Sequence, residues 1–530
     1  MIRSTFAGYT TAYSALLASQ KGLEVTGQNI ANVNTDGYTR QRLDLYSRNS
    51  DGYYPLYAQT IWGNVGYGVG IGRITQMRDK TLDVRFRDQA CDVGESQAMS
   101  GALDDLAAIF DKITNTGLED GFQDFIDKLN ELSKNPENKN YDSFARSSAE
   151  TLTTVMGTYA QKLSGVVGDQ KYMLKDVSIP DINGLLTNIA ALNKNIKSNQ
   201  LVGNTAPELL DQRNALLDKL SQYLPIDVSY TPQTLATGTV VENVEVRLKN
   251  PGGTPDYITL VNNDSATQLK YSEDADGNAQ ISMTDPNGGA DTDITGSIQS
   301  GSVKGLLTII NDTASGVGYY ATSFDSLVSQ FANAFNEANR VANPAYSQFL
   351  ADGVTPNPDY VAGSDQYIER PLFVNKNDPT NPNAPITAAT IGIAPGWMDG
   401  TYGITLTNDP APGVTDGSEG EQSNVNAMIA LFSKKFTFAP GKEGTFSEYF
   451  QQIGNEIDSA LNAKQTLLNN STVVMNSISD LRDGLSSVSL DEEGINLLRY
   501  QKSYNAAARL MTILDEAVDT IINRMGIIGR

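Results

Sequence analysis

Acidic pairs are the residues of this sequence whose type and spacing could support catalysis. Asp104 and Asp105 form one pair, and Glu119 and Asp120 form another. Two carboxyl groups that flank a sugar can hydrolyse a glycosidic bond by acid–base chemistry. Both pairs fall in helical or turn-capping sequence without an aromatic cluster to bind sugar. Helix capping and solvated helix faces are therefore the favoured interpretation of these carboxylates.

The absence of histidine narrows the remaining chemistry. The 530 residues include no histidine and one cysteine, Cys91. Serine–histidine and cysteine–histidine nucleophiles and histidine-ligated zinc are excluded, and no intramolecular disulfide can form. Carboxylate chemistry, lysine chemistry or a non-catalytic role remains. We expect a protein that is not an enzyme and carries no cofactor or metal.

Two glycine-containing segments resemble ligand loops but depart from the required spacing. GNVGYGVGIG at residues 63–72 does not satisfy G-x-G-x-x-G in any register, and no GK[ST] follows it. DADGN at residues 274–278 begins like a calcium loop, but Gly277 stands at position four instead of six and no glutamate occupies position twelve. Turns are the favoured interpretation of both segments.

Length and apolar patterning favour a multidomain globular chain. At 530 residues, 40% of them hydrophobic, the chain is too long for one core and should form several domains. No run approaches 18 apolar residues, so no membrane insertion is expected. The N-terminal segment MIRSTFAGYTTAYSALLASQ lacks a continuous apolar h-region, so it does not read as a cleaved signal peptide.

Charge is concentrated in the middle of the chain. The net charge is −23, yet residues 1–50 carry 5 basic and 3 acidic residues and residues 491–530 carry 5 and 6. The two ends therefore sum to about +1, which leaves about −24 in between. An acidic, turn-rich middle indicates a solvated exterior and argues against nucleic-acid binding. The nearly neutral ends can pack against copies of themselves without repulsion.

Both ends of the chain carry apolar residues at heptad spacing. Such spacing gathers apolar side chains on one seam of a helix, which then requires a partner. Residues 497–525 would span about 43 Å as a helix, and the first helix covers that length imperfectly, so contacts with neighbouring subunits are expected. The N-terminal stripe is Ile2, Phe6, Tyr9, Tyr13, Leu16, Leu23 and Ile30, and the C-terminal stripe is Leu497, Tyr500, Tyr504, Ala507, Met511, Leu514, Val518, Ile521 and Met525.

The segments between the ends predict a nested, elongated α+β multidomain fold. A terminal α-helical, coiled-coil-like region surrounds a helical-bundle body, which surrounds β-rich inserted domains. Capping-box patterns at Thr205/Glu208, Thr445/Glu448 and Ser489/Glu492 mark helix starts, and the heptad-spaced residues of 445–488 are expected to face the core. The predicted domains are a terminal assembly domain (1–45 plus 489–530), a helical body (46–225, 300–344 and 426–488) and inserts at 226–299 and 345–425.

Two segments resemble signatures of the bacterial flagellar axial proteins. NIANVNTDGYTRQ at residues 29–41 is similar to the N-terminal signature of that family, and SLDEEGINLLRYQKSYNAAARL at residues 489–510 is similar to the C-terminal one. GYTRQ and the double acid of SLDEEGINLLRYQ favour the hook-associated members over rod and hook proteins. The alternatives are another axial component, such as the hook protein or the second junction protein, or a surface adhesin or glycan-acting protein built on the β inserts.

The resemblance implies a structural protein of the flagellum, at the junction of hook and filament. It implies self-assembly through the terminal helices, contacts with the hook protein and with the second junction protein, and an extracellular location reached by type III export without signal cleavage. An export chaperone is expected on the C-terminal helix. The implied assembly residues are Phe6, Tyr13, Leu16, Leu23, Asn29, Asn32, Asn34, Gly37, Tyr38, Arg40, Glu492, Glu493, Leu497, Leu498, Tyr500, Gln501, Tyr504, Ala507, Arg509, Met511, Leu514, Val518 and Ile521.

Overall fold

The chain is predominantly helical in a computed structural model that describes residues 6–48, 66, 68–111, 117–236, 240–284, 291–349, 355–406 and 422–524. Short π-helical turns lie at Met173–Ser178 and Thr520–Arg524, and a 3₁₀ turn lies at Thr295–Ser297. The α-helices within these ranges are α1 (Phe6–Ala31), α2 (Lys80–Asp111), α3 (Leu118–Lys134), α4 (Lys139–Tyr172), α5 (Ile179–Leu201), α6 (Pro207–Tyr223), α7 (Ser302–Asn311), α8 (Val317–Ala338), α9 (Pro395–Met398), α10 (Ser423–Leu431), α11 (Phe446–Ser486) and α12 (Leu490–Asp519).

Short antiparallel sheets interrupt the helices. Their strands are β1 (Gln41–Ser47), β2 (Val69–Gln76), β3 (Ile226–Thr234), β4 (Val240–Lys249), β5 (Tyr257–Asn262), β6 (Ser265–Ala266), β7 (Leu269–Glu273), β8 (Ala279–Met283), β9 (Thr292–Asp293), β10 (Val341–Ala342), β11 (Tyr367–Ile368), β12 (Phe373–Asn375), β13 (Ile391–Ile393), β14 (Phe436–Ala439) and β15 (Lys442–Gly444). The strands pair as β1–β2, β3–β4–β5–β6, β7–β8–β9, β10–β11, β12–β13 and β14–β15. Strand β4 has the buried Val244, Val246 and Leu248 that its alternation predicts.

One predicted capping box is confirmed and another is wrong. At the start of α11 the Glu448 N–H donates to Thr445 Oγ1, and the Thr445 N–H donates to the Glu448 carboxylate. The box predicted at Thr205 and Glu208 does not form, because α6 begins after Ala206, whose φ of 45° is left-handed and which offers no side-chain acceptor. Pro at the first helical position fits there because it needs no N–H partner.

A proline explains the π turn between α4 and α5. Pro180 lies in the first turn of α5, directly after the turn at Met173–Ser178. A proline ring inside a regular helix clashes with the carbonyl four residues earlier, here that of Asp176. Widening the helix by a π turn accommodates the ring while the rod continues from α4 to α5.

Two buried apolar clusters hold the body of the molecule together. The first is rich in aromatic side chains and unites α3, α4, α8, α10 and parts of α2 and α11; Phe331 at its centre packs 4.7 Å from Phe335 and 5.1 Å from Phe373, measured between ring centroids. The second joins α5, α6 and α7 to strands β3, β4, β5, β7 and β8. The fold-class prediction is confirmed.

Neither predicted insert forms its core alone. Val246 and Ile281 of the first insert share a cluster with α5–α7, and Phe373 and Trp397 of the second insert belong to the aromatic cluster. The apolar side chains that define the inserts are therefore used for packing against the body. The chain boundaries assigned to the domains stay a prediction.

The heptad-spaced apolar residues of α11 are buried only at the start of the helix. Ile457 is fully buried, as expected, where α11 enters the aromatic cluster. Farther along, α11 packs against α2, but Leu467, Val474, Leu481 and Leu485 remain 47–57% exposed. The expectation that this whole stripe faces the core is therefore wrong, because α2 covers only part of the surface of α11. We call these four residues the α11 stripe.

Candidate assembly interface

The two ends of the chain pack against each other as an antiparallel helix pair. Gly22 of α1 lies so close to α12 that a Cβ there would be 2.5 Å from the Tyr500 ring. At the other end of the pair, a Cβ at Gly8 would be 3.1 Å from Leu514. The Tyr9 hydroxyl donates to Asp515 at 3.1 Å. Small residues in α1 thus let the two helix axes approach closely.

The buried face of α1 is not the predicted apolar stripe. Tyr13 is 57% exposed, and Leu16 and Leu23 are half-buried. Phe6 begins α1, but its side chain lies outside the described residues, as do Ile2 and Met525 of the predicted stripes. The face that packs on α12 and on the β1–β2 ribbon consists of small or short side chains, which apolar periodicity did not reveal: Ala12, Ser14, Ala18, Ser19, Gly22, Val25, Thr26 and Asn29.

α12 has two apolar faces. The predicted seam faces α1: Ala507 is buried, Tyr500, Met511, Leu514 and Val518 are half-buried, and Leu497, Tyr504 and Ile521 are 36–47% exposed. On the opposite side Ile495, Leu498, Leu510 and Ile513 are 43–67% exposed. We call these four residues the outer stripe. Of the remaining predicted residues on this helix, Gln501 and Arg509 are exposed.

Asn29 holds the bend that follows α1. Its Nδ2 donates to the Gln41 carbonyl, and its Oδ1 accepts from the Gln41 N–H and the Tyr38 hydroxyl, each at 2.9 Å. Gly37 has a φ of +75°, which glycine adopts without steric cost. A side chain that is 1% exposed and makes three hydrogen bonds fixes the path of the chain into β1.

The other two predicted asparagines lie closer to the surface of the bend. Asn32 is half-buried; its Nδ2 donates to the Gln28 carbonyl at 2.9 Å, and its Oδ1 accepts from the Thr35 hydroxyl at 3.2 Å. Asn34 is exposed. Asn32 therefore closes the last turn of α1, where backbone carbonyls lack helical partners.

Arg40 joins the bend to the start of α12. Its Nε lies 2.8 Å from Glu493 Oε1 and its Nη1 lies 2.5 Å from Glu492 Oε2. The Arg40 N–H also donates to the Ser486 carbonyl at 2.8 Å. The side chain of Glu493 is 2% exposed, whereas that of Glu492 is 61% exposed. The structure thus brings the two predicted motifs into one ion-pair cluster, whose buried member is Glu493.

A second attachment, which no sequence pattern predicted, connects the bend to α6. The Thr39 hydroxyl and N–H both donate to the Asp211 carboxylate, at 2.6 and 3.0 Å. Burial raises the pKa of Asp211, and the bonds from Thr39 oppose that shift. Burial also raises the pKa of Tyr38, and the negative charges of Glu208, Asp211 and Glu493 raise it further. Tyr38 therefore stays a neutral hydrogen-bond donor at physiological pH.

A group of buried charges lies beside these attachments. Three arginines surround two aspartates: Arg78 pairs with Asp83 at 2.6 Å, Arg87 with Asp218 at 2.7 Å, and Arg482 with both carboxylates at 3.1 and 2.7 Å. Their side chains are 5–18% exposed. These pairs connect α2, α6 and the C-terminal part of α11, so the region that receives the bend is fixed by charge as well as by apolar packing.

The residues considered for catalysis are hydrogen-bonded between helices, exposed to solvent or buried as a neutral thiol. Glu119 Oε1 accepts from Ser447 and Gln451 and so links α3 to α11. Asp104 and Asp105 are exposed on α2. Burial raises the pKa of Cys91 to about 12, which suppresses the reactive thiolate.

The two glycine-containing segments form turns or strands where they are described. DADGN turns between β7 and β8, with Gly277 at a φ of +83°. Gly70 and Gly72 lie in β2, whereas residues 63–65 and 67 fall outside the described part. Among the described residues no group of three or more acidic or cysteine side chains is arranged to hold a metal. No helix in that part of the chain has the length and apolarity to cross a membrane.

Comparisons with known proteins agree with this arrangement. A family model described as the flagellar hook-associated protein FlgK helical domain matches residues 103–343, and one described as flagella basal body rod protein matches residues 10–39. The chain is 29% identical to flagellar hook-associated protein 1 of Bacillus subtilis (strain 168), over 99% of this chain and 100% of that protein. The chain is therefore similar to flagellar hook-associated protein 1 over nearly its whole length.

Other relatives also align over nearly their whole length. Flagellar hook-associated protein 1 of Escherichia coli (strain K12) is 23% identical over 97% of this chain and 98% of that protein. The solved structure of the flagellar hook junction protein FlgK from Burkholderia pseudomallei matches with a TM-score of 0.54 at 15% identity, over 77% of this chain and 100% of that one. The latter likeness shows a shared fold.

Proposed function

We propose that this chain is a structural protein of the bacterial flagellum that joins the hook to the filament by helical self-assembly through its terminal helices. The outer stripe of α12 carries the proposal. Its four apolar side chains are 43–67% exposed on a helix whose other face already packs on α1. An apolar face of this kind on a soluble chain marks a contact with another protein.

The exposed stripes suit the contacts that a tube requires. A helical tube grows through heterologous contacts, in which one patch of a subunit meets a different patch of the next. The outer stripe, the α11 stripe and Tyr13 on α1 are separate apolar surfaces on three helices. We assign the assembly role predicted for the terminal residues to these surfaces, and to the bend at Arg40 the task of orienting them.

The same surfaces support the partners proposed for the chain. In the flagellum, a tube of these subunits would continue the hook and seat the second junction protein. Before assembly the outer stripe would be exposed in the monomer, so an export chaperone that covers α12 would prevent premature association. We propose type III export without signal cleavage and an extracellular position at the hook–filament junction.

We also propose that the role is structural and not catalytic. The chain lacks histidine, and the carboxylate Glu119 is engaged in helix–helix hydrogen bonds. Similarity to flagellar hook-associated protein 1 over 99% of the chain favours the junction role over that of a hook protein or a second junction protein. The inserts pack into the body, which does not favour an independent glycan-binding module.

Two neighbouring substitutions on α12 test this function. Ile513→Glu places a charge in the outer stripe, whereas Thr512→Glu places the same charge one residue away, outside both apolar faces. Both residues are exposed, so neither change should unfold the isolated protein. In a strain that lacks the native chain, we expect Ile513→Glu to reduce the number of filaments at least tenfold and Thr512→Glu to leave it within twofold.

Electron microscopy of filaments provides the measurement, and circular dichroism of the purified variants provides the control for folding. Equal filament numbers for the two variants would contradict assembly through the outer stripe. Loss of filaments with a folded Ile513→Glu protein, and retention with Thr512→Glu, would support it.

A further inference from the structure

A cleft of about 600 Å³ opens where the terminal region meets the body. β2 and the starts of α2 and α6 form part of its wall, and β3 and β4 form the rest. Its size is that of a pocket for a small ligand or a few peptide side chains. Leu210 and Val241 contribute apolar surface, while Gln76 and Asn204 contribute amide groups.

The cleft is cationic in an acidic protein. Its lining includes four basic side chains and two acidic ones: Arg73, Arg78, Lys80, Arg213, Asp83 and Glu242. The starts of two helices also face it, and helix N-termini carry partial positive charge. The chain as a whole has a net charge of −23. The cleft is thus positively charged within a negatively charged protein, which favours an anionic ligand.

A buried arginine in the cleft has an unused donor. Arg213 is 3% exposed; its Nη1 donates to Asn193 and its Nη2 to Glu242, but its Nε has no acceptor among the described residues. Leaving a buried N–H unpaired is costly. A ligand oxygen in the cleft would satisfy this donor.

Lys80 supplies a further cation at the same place. Its Nζ lies 4.3 Å from the centroid of the Tyr230 ring, and it forms no ion pair with a described residue. Lys80 is also the first residue of α2, where a positive side chain opposes the helix dipole. Helix stability therefore does not explain a lysine at this position, whereas the contact with the Tyr230 ring and a contact with an anion in the cleft would both favour it.

The loop at the cleft is held in a strained conformation. Ala206, which is 5% exposed, has a φ of 45°, a value that residues other than glycine rarely adopt. It follows the loop residues Gly203, Asn204 and Thr205, which line the cleft. Strain of this kind persists where the surrounding structure imposes it, and it is concentrated at ligand-binding and active sites.

We propose that the cleft binds an Asp or Glu side chain of a second copy of this chain. The choice of partner follows from charge: 62 acidic residues against 39 basic ones make each neighbouring copy a carboxylate-rich surface. In the assembled junction, Lys80 and Arg213 would receive this carboxylate and fix the register between subunits. The inference rests on the proposed function, because only assembly supplies the neighbouring copy.

Zero-length crosslinking of isolated hook–filament structures tests the proposal. A carbodiimide joins an amine to a carboxylate only when the two are in contact, so Lys80 should form an adduct between two copies. Lys80→Gln should reduce the dimer-sized adduct at least tenfold. Lys194→Gln, at an exposed lysine on α5 outside the cleft, should change it by less than twofold. Mass spectrometry identifies the linked residues.

The outcomes separate the two proposals. If the chain is present at the junction but Lys80 forms no adduct between copies, or is linked to a different protein, the cleft proposal is overturned and the proposed function stands. If the chain is absent from hook–filament structures, the proposed function fails and the cleft proposal fails with it. Circular dichroism of Lys80→Gln verifies that the fold is retained.

Discussion

At the scale of single residues, the bend between α1 and β1 depends on charges and amides that are nearly inaccessible to water. Asn29 satisfies three hydrogen bonds, Thr39 pairs with Asp211, and Arg40 reaches the buried Glu493. In low dielectric surroundings such groups are costly when unpaired. Their geometry therefore has one low-energy arrangement, which fixes the direction in which the terminal helices leave the body.

Arg40→Ala should detach the start of α12. It leaves Glu493, which is 2% exposed, as an unpaired buried charge, and breaking such a pair by removing one partner costs about 3–5 kcal/mol. Arg42→Ala is the matched control, because Arg42 is 61% exposed and pairs with Asp44 at the surface. Hydrogen exchange in residues 490–500 should accelerate strongly in Arg40→Ala and little in Arg42→Ala. Similar exchange in both variants would show that the ion pair does not hold the helix.

Asp325→Asn should flatten the pH dependence of stability. Burial raises the pKa of Asp325, although the Ala388 N–H donates to its carboxylate at 2.8 Å and opposes the shift. A raised carboxyl pKa means that the folded state binds the proton more tightly, so its contribution to stability falls as pH rises from the ordinary pKa through the raised one. Asparagine keeps an acceptor for Ala388 but does not titrate.

Denaturant unfolding between pH 4 and pH 7 measures this effect. The free energy of unfolding should decline less with rising pH in Asp325→Asn than in the native chain. Asp104→Asn, at an exposed position on α2, serves as the control and should follow the native curve. If the free energy of unfolding of Asp325→Asn fell with pH as steeply as that of the native chain, Asp325 would not be the source of the pH dependence.

At the scale of elements, the terminal helix pair relies on the small residues of α1. The bulky side chains at heptad spacing on α12 contact a face of alanine, serine, glycine and threonine. This arrangement leaves the larger side chains of α1, such as Tyr13, directed away from the contact. The pair thus stays closely packed while it presents apolar groups outward.

Alanine substitutions at two glycines of α1 distinguish the effect of close packing from that of helix propensity. Gly22→Ala adds a Cβ that would be 2.5 Å from the Tyr500 ring, whereas Gly27→Ala adds one with no atom within 4 Å. Alanine favours a helix over glycine by about 1 kcal/mol, so Gly27→Ala should stabilise the terminal region. Gly22→Ala should destabilise it, because the ring or the helix must move. Limited proteolysis of residues 6–31 compares them, and equal protection in both would contradict the close approach.

At the scale of the whole molecule, the chain separates a packed body from a pair of terminal helices. The members of the two apolar clusters lie between residues 99 and 457, and the terminal pair is attached to them through the bend and the arginine–aspartate group. Acidic residues in excess give the middle of the chain a solvated exterior. The nearly neutral ends are the part suited to close contact with other copies.

Deleting residues 495–530 should leave a folded body that cannot support filaments. Both apolar clusters remain complete, and the uncovered face of α1 consists mainly of small side chains, so the loss exposes little apolar surface. The midpoint of thermal unfolding of the body should shift by only a few degrees, and filament growth should be abolished. Filaments in a strain that produces only the truncated chain would exclude an essential role for α12.

The sequence by itself determined several helices and strands and the two terminal motifs. Heptad spacing identified α12, the alternation of Val244, Val246 and Leu248 identified β4, and the Thr445/Glu448 pattern identified the start of α11. These signals are local, because periodicity and capping act within one helix or strand. The motifs around Arg40 and Glu493 were also recognisable from the chain alone.

Only the tertiary structure decided which of these residues meet. Arg40 and Glu493 are 453 residues apart, and Thr39 and Asp211 are 172 apart; polar partners at such separations leave no periodic pattern. Gly22 became part of the interface because Tyr500 packs over it, and the α11 stripe is exposed because α2 covers only one side. Burial is a property of the packed molecule, so the inner and outer faces of the terminal helices were settled by their neighbours in space.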